Sequence, residues 1–467
     1  MRVLLIAYDN DSHISYFPLG LGYIASALQY GGGYDVEIYE QNIYHYTEEE
    51  LTDYLNHNHF DAVGIGGCGG YYQYRKIKKI AQAVSEVKEK PFFWMGGHLP
   101  SPDPEYFLRN FAGVDAVVIG EGEETCKEML QVLQQKGDFR GVKGMAYIDE
   151  NNQYVENPRR PLIEDIDSIP YPAWDLFTME HYVLLSSPNA DRSDRCMQMV
   201  SGRGCPFHCN FCYRMDSGFR PRSTQGIIDE IKEIVDRYRV NYIEFDDELL
   251  MSSVSRTKEI AQAIIDNGLN IKFYCQGRLN YACRDIEMLR LLKEAGCVFI
   301  NYGIESMDDG ALQRMHKNLT TDMIIKGIEN TLSVGISPGL NIIFGNLDED
   351  MEILKKDVDF LLKYDDGAQI RTIRPVTPYP GTELYHIAVE RGLIKNIGDF
   401  YENKHTNSDL LTCNFTKMSD EEFYKALDWA NGTLLDAYTE RVKQKNRLCL
   451  YELYEKHNAQ FRGFRPV

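Results

Sequence analysis

Short apolar runs alternate with amphipathic stretches along the first 135 or so residues. Runs at 3–7, 36–39, 62–66, 92–96 and 114–119 are predominantly apolar, broken by charge at Glu37 and Asp115, as strands buried on both faces are. Between them, 19–29, 48–56, 74–88, 104–110 and 123–134 carry apolar residues at helical spacing. Five strand–helix units in this order predict a Rossmann-like, doubly wound parallel sheet, with ligands taken at the carboxyl ends of its strands. Those ends carry Gly66-Gly67-Cys68-Gly69-Gly70, Gly96-Gly97-His98 and Gly120-Glu121-Gly122-Glu123. Glycines there let backbone approach a ligand closely. No G-x-G-x-x-G follows the first strand, which argues against a dinucleotide.

The alternation pauses and then starts again. A stretch at 141–156 reads as a small hairpin turning at Asn151-Asn152, and Ile169-Pro170-Tyr171-Pro172 is held extended by its prolines. Strand runs at 197–200, 242–245, 272–276, 298–302, 340–344 and 370–374 then interleave with helical runs at 227–238, 254–267, 285–295, 321–333 and 351–363. This predicts a partial (β/α)6 barrel of TIM type, whose chemistry sits at the carboxyl ends of the strands. The tail is rich in Tyr, Phe, Leu and charge and predicts two helices, 420–435 and 438–453. The expected organisation is therefore α/β: a ligand-binding domain over 1–140, a linker over 141–195, the barrel over 196–385 and a mainly helical capping region over 386–467.

Directly after the first barrel strand stands Gly204-Cys205-Pro206-Phe207-His208-Cys209-Asn210-Phe211-Cys212-Tyr213. Three cysteines at C-x3-C-x2-C spacing let one loop bring three thiolates to one centre. Iron–sulfur clusters take about four thiolates, so a three-cysteine loop leaves one iron open to a ligand that is not protein. A structural zinc site built from Cys205, Cys209, Cys212 and His208 is the competing reading. It is disfavoured because His208 adjoins Cys209 and no second CxxC knuckle occurs.

The spacing resembles that of the radical SAM superfamily, in which S-adenosylmethionine (SAM) chelates the open iron of a 4Fe-4S cluster and is cleaved to a 5′-deoxyadenosyl radical. The order Pro18-Leu19-Gly20-Leu21, Gly-Gly-His, Gly-Glu-Gly-Glu is similar to the cobalamin-binding domain fused to many of these enzymes. The resemblance implies cobalamin over Gly67, Cys68, Gly96, Gly97, His98, Gly120, Glu121 and Gly122. It implies SAM contacts at Phe211, Tyr213, Asp247, Glu248, Gln276, Arg278, Glu305 and Ser306. An acidic stretch, Asp246-Asp247-Glu248, would accept from the SAM ammonium, although the family's glycines are missing there. Arg278 suits the SAM carboxylate through its two-pronged fork, and Gly303-Ile304-Glu305-Ser306 matches the family's ribose-binding G-I-E-S. Asp11-Ser12-His13 only half matches the cobalamin motif whose His ligates cobalt, so His13 is expected to be a loop histidine.

The activity so implied is methyl transfer to an unactivated carbon through methylcobalamin, with cyclisation, rearrangement or oxidation as the alternative. An empty first domain would leave a plain radical SAM enzyme. The reaction also needs a reducing partner of flavodoxin or ferredoxin type. No residue is assignable as a catalytic acid or base.

Composition narrows the partners. A net charge of −20 argues against bulk nucleic-acid binding, leaving a small molecule, lipid or peptide as substrate. Eight further cysteines lack framework spacing, which suits a reducing cytoplasm. No apolar run approaches the roughly 20 residues of a membrane span.

Overall fold

The computed structural model describes residues 1–10 and 16–461, and His13 lies outside the described residues. The first sheet runs β1 (Arg2–Ala7), β2 (Asp35–Glu40), β3 (Ala62–Gly66), β4 (Phe92–Gly96), β5 (Ala116–Val118), β6 (Met145–Ile148) and β7 (Tyr154–Glu156). Its strand order is β2-β1-β3-β4-β5-β6-β7. The first five strands are parallel, and Val3, Leu4 and Leu5 stand level with Ala62, Val63 and Gly64. Helices cover both faces, so the central strands β1, β3, β4 and β5 are largely apolar, while the edge strand β2 carries Asp35, Glu37 and Glu40.

The hairpin expected in the linker is instead the edge of this sheet. β6 pairs antiparallel with β5, and β7 with β6. The three-residue β5 would otherwise present an open row of backbone donors and acceptors, which the hairpin covers.

Next come β8 (Cys196–Met199), β9 (Gly202–Cys205), β10 (Gly218–Pro221), β11 (Tyr242–Phe245), β12 (Lys272–Gly277), β13 (Cys297–Glu305), β14 (Ser337–Phe344) and β15 (Ile373–Pro375). Six of these pair in parallel, in chain order from β8 through β11 to β15, as an open partial barrel. The pleat sends Ile243 and Phe245 outward into the helix-packed core and leaves Glu244 with Gln198 on the inner face. Cys196, Tyr242, Tyr274 and Phe299 close the inner floor. The strands β9 and β10 form a separate antiparallel pair over the barrel mouth, which periodicity does not predict because four-residue Gly-rich strands carry no alternation.

The tail is one helix, not two. Ser419 caps it with Glu422 in a reciprocal box, and it runs unbroken over Asp420–Leu450, since neither Gly nor Pro interrupts Leu435-Asp436-Ala437-Tyr438. Asn431 donates to the Ile373 carbonyl at 3.0 Å and accepts from its amide at 2.8 Å, satisfying the open edge of β15. The segment before this helix packs on the first domain. Phe400 and Tyr401 are fully buried, worth about 2–3 kcal/mol each. The Tyr401 ring stacks on Tyr74 with centroids 4.5 Å apart.

Candidate cofactor site between the two sheets

A cavity of about 820 Å³ lies between the strand ends of the first sheet and the β9–β10 pair. Gly67, Cys68, Gly96, Gly97, His98, Gly120, Glu121 and Gly122 all border it. Gly120 has φ +83° and nothing within 4 Å of where a side chain would start, so its backbone faces open space. Gly97, at φ +88°, packs so closely on the Gly67 carbonyl that a β-carbon would fall 2.7 Å away. From this rim the cavity descends past Trp94, Val118, Ile24 and Cys126 into an apolar slot beside the sheet. A wide rim of bare backbone over a narrow apolar slot fits a planar macrocycle with a buried tail, as cobalamin is.

Glu121 borders the cavity but is spent on holding the domains together. Its carboxylate accepts from Arg203 at 2.8 Å and from Arg220 at 2.8 and 3.1 Å, and from the Ile163 amide at 2.9 Å. Against the cost of burial, these bonds hold the carboxyl below its usual range. Arg203 also pairs with Glu123 at 2.6 Å. Arg203 lies on β9 and Arg220 on β10, so the Gly-Glu-Gly-Glu loop grips both strands that flank the three cysteines. His98 reaches the same segment, its ring edge-on to Tyr213 with centroids 5.7 Å apart. The walls around His98 desolvate its imidazole and hold it below the ordinary range, with Glu248 and Asp216 opposing.

The cysteine loop springs from this β9–β10 pair. Gly204 has φ +84° and lies against the Gly218 carbonyl, leaving no room for a side chain. The loop is pinned by Asn210, which sequence reasoning passed over. This residue is 1% exposed; its amide nitrogen Nδ2 donates to the Arg314 carbonyl at 3.1 Å, its backbone N–H donates to the Met315 carbonyl, and its own carbonyl accepts from Leu384. Cys205 borders the cavity. Among the described residues no three ligating side chains converge tightly enough to hold a single ion. Three thiolates on one short loop, with His208 directly beside Cys209, suit a cluster that takes one thiolate per iron.

On the barrel side, Arg278 follows β12 with its guanidinium 3.5 Å from the centre of the Phe207 ring. Its Nη2 donates to the Lys317 carbonyl, while its Nε is buried without a partner. Glu248 accepts from the Gly204 amide at 3.0 Å and lines the cavity with Asp246. Gln276 accepts from Asn301 at 2.9 Å on the inner wall. Glu305, in the left-handed region at φ +73°, pairs with Lys317 at 2.7 Å, and Lys317 lies 5.8 Å from the Phe211 ring centre. Tyr213 packs on Gly381 of the Pro380-Gly381 rim loop.

Of the eight expected SAM contacts, Glu248 alone borders the cavity among the described residues, and two of the others turn away from the inner face. Asp247 accepts from the Ser201 amide at 2.5 Å and from its hydroxyl, facing the helix-packed side; burial pushes its carboxyl up to about 7 although the Ser201 bonds oppose this. Ser306 is fully buried toward Asp357, 3.4 Å away. In each case the strand end presents the neighbouring residue inward and this one outward. Arg214, which nothing in the sequence reading singled out, borders the cavity with Nε and Nη1 buried and unpartnered.

Two family models match the chain: the B12 binding domain over residues 2–130 and the radical SAM superfamily over 199–361. An uncharacterized methyltransferase of Pyrococcus horikoshii is 31% identical over 405 residues, 84% of each chain. The chain belongs to the cobalamin-dependent radical SAM enzymes. Its cofactors are accordingly a 4Fe-4S cluster, SAM and cobalamin. An anaerobic magnesium-protoporphyrin IX monomethyl ester cyclase of Rubrivivax gelatinosus is 25% identical over 82% of this chain and 69% of its own. Among solved structures, the radical S-adenosylmethionine methyltransferase TsrM from Kitasatospora setae shares the fold with a TM-score of 0.71, at 16% identity over 93% of this chain and 88% of that one. Among the described residues no helix of this cobalamin-dependent enzyme is long and apolar enough to cross a membrane.

Proposed function

We propose that this enzyme transfers a methyl group from SAM to a carbon of its substrate by a radical route. The observation that carries the reading is the single cavity bordered both by the glycine rim of the first sheet and by Cys205. Two cofactors that open into one space can act on one substrate. When bound, the cluster, SAM and cobalamin together supply a hydrogen-abstracting radical and a transferable methyl group; the chain supplies position and dryness.

In this reading Cys205, Cys209 and Cys212 hold the cluster. The free Nε of Arg278 takes the SAM carboxylate, and Glu248 with Asp246 takes its ammonium. Gln276 and Glu305 line the rest of the SAM site, with Phe211 and Tyr213 as walls. Gly67, Cys68, Gly96, Gly97, His98, Gly120 and Gly122 seat cobalamin, and Glu121 sets its domain against the cluster loop. A reduced flavodoxin or ferredoxin provides the electron. The similarity to a methyltransferase over most of both chains supports methyl transfer, and the similarity to a cyclase supports ring closure as the second reading.

The test is anaerobic reconstitution with iron, sulfide and hydroxocobalamin, followed by turnover with methyl-deuterated SAM. Deuterated methyl groups in the product establish transfer. Formation of 5′-deoxyadenosine with an unlabelled product establishes the cyclase-like reading instead.

A further inference from the structure

Beneath the shared cavity the inner wall of the barrel holds a recess of about 10 Å³ bordered by Tyr16, Phe17, Tyr182, Gln198 and Glu244. That volume accommodates about one water- or ammonium-sized group. Tyr16 borders both the recess and the large cavity, and Asp246 borders the large cavity two residues beyond Glu244 on β11, so the recess continues the cavity downward.

Its polar lining is one-sided. Glu244 is 4% exposed and Gln198 5% exposed, and β8 sets them level across the sheet. The Gln198 amide donates weakly to Glu244 at 3.5 Å, while its carbonyl oxygen Oε1 is buried with no hydrogen-bond partner. No Lys, Arg or His ion-pairs with Glu244 or Asp246 among the described residues; Asp246 accepts only from the Tyr274 hydroxyl, at 2.6 Å. Burial and the neighbouring Asp246 raise Glu244 to about 7, as expected of a buried acid lacking a counter-charge. The opposite wall is aromatic, Phe17 and Tyr182 meeting edge-to-face with centroids 5.3 Å apart. A buried carboxylate, an unsatisfied carbonyl and aromatic rings together select a compact cation bearing N–H donors.

We infer that the recess is a substrate subsite for a protonated amine, seated between Glu244, the Gln198 carbonyl oxygen and the Phe17–Tyr182 wall. The inference rests on the proposed function in one respect, that the substrate enters through the shared cavity. The ammonium would point into the barrel, leaving the carbon to be modified nearer Cys205. Neutral lipids and purely anionic substrates would leave the lining of the recess unsatisfied.

The test uses the reconstituted full-length enzyme and n-propylammonium as probe, with n-propanol as its uncharged counterpart, by calorimetric titration. Charge-assisted bonds to buried acceptors predict a preference of at least about tenfold for the ammonium. Glu244→Gln should erase that preference and Gln198→Leu should weaken it several-fold; should Glu244→Gln fail to load iron, Gln198→Leu alone carries the comparison. Equal binding of the two probes, no binding of the ammonium, or a preference untouched by these variants overturns the inference. Cobalt and iron contents of the same samples report separately on the cofactor reading, so the two can fail independently.

Discussion

The Glu121 carboxylate of the cobalamin-side loop lies 2.8 Å from the Arg203 guanidinium on the strand that leads into the cysteine loop. Both side chains are largely buried, and Arg220 joins them from the strand that leaves the loop. The pair thus fixes the distance between two cofactor sites that belong to different sheets.

Glu121→Gln should loosen that distance. Breaking a largely buried ion pair costs about 3 kcal/mol, so the thermal midpoint should fall clearly. Iron content should persist, because Glu121 touches no cysteine. Product formation should fall more than SAM cleavage does, since only the former needs both cofactors aligned. Comparing 5′-deoxyadenosine with product in the variant checks this.

Gly120→Ala should reduce cobalamin loading. The position combines φ +83° with open space toward the cavity, so the new methyl group both strains the backbone and enters the site. The strain alone is worth about 1–2 kcal/mol. Cobalt content measured after desalting should drop while iron stays near about four per chain.

Arg278→Met should weaken SAM binding. Its Nε is a buried donor awaiting an acceptor, and removing a hydrogen bond to a charged group costs about 1.5–3 kcal/mol, or roughly ten- to a hundredfold in affinity. Arg278→Lys should recover only part of this, because a point charge cannot replace a fork. Equilibrium dialysis with SAM gives the comparison, with iron content as the control.

Asp247→Asn should flatten the pH dependence of stability. The folded-state carboxyl is raised to about 7, above its unfolded value, so its proton is held more tightly in the folded chain. Its contribution is complete below the unfolded value and is lost as pH rises through 7. Between pH 5 and 8 the wild type should therefore lose on the order of 3 kcal/mol from this group, and the variant should not. Denaturant titrations at the two pH values measure the difference.

Cys209→Ala should abolish cluster assembly and with it all 5′-deoxyadenosine formation. Iron analysis and chromatography of the reaction mixture check this, and an active variant would overturn the cluster assignment.

What the sequence determined by itself is the set of features written in local order. Apolar runs on successive residues mark strands buried on both faces, so the strands of both sheets are legible within a few residues, 62–66, 92–96 and 242–245 without error. Three cysteines within eight residues must share a loop whatever surrounds them, and glycines after strands must border whatever lies at the strand ends. Tertiary structure decided what depends on parity, edges and partners. A strand end shows one residue inward and the next outward, and a shift of one position exchanges them. This is how Glu248 reached the cavity while Asp247 turned to Ser201. The open edge of β5 recruited a hairpin whose sequence carries no mark of its destination. Glu121 reads as a ligand-loop acid until Arg203 and Arg220, 82 and 99 residues further on, arrive beside it. Such a contact is set by how the two sheets pack together, and a charge pattern along the chain does not encode it.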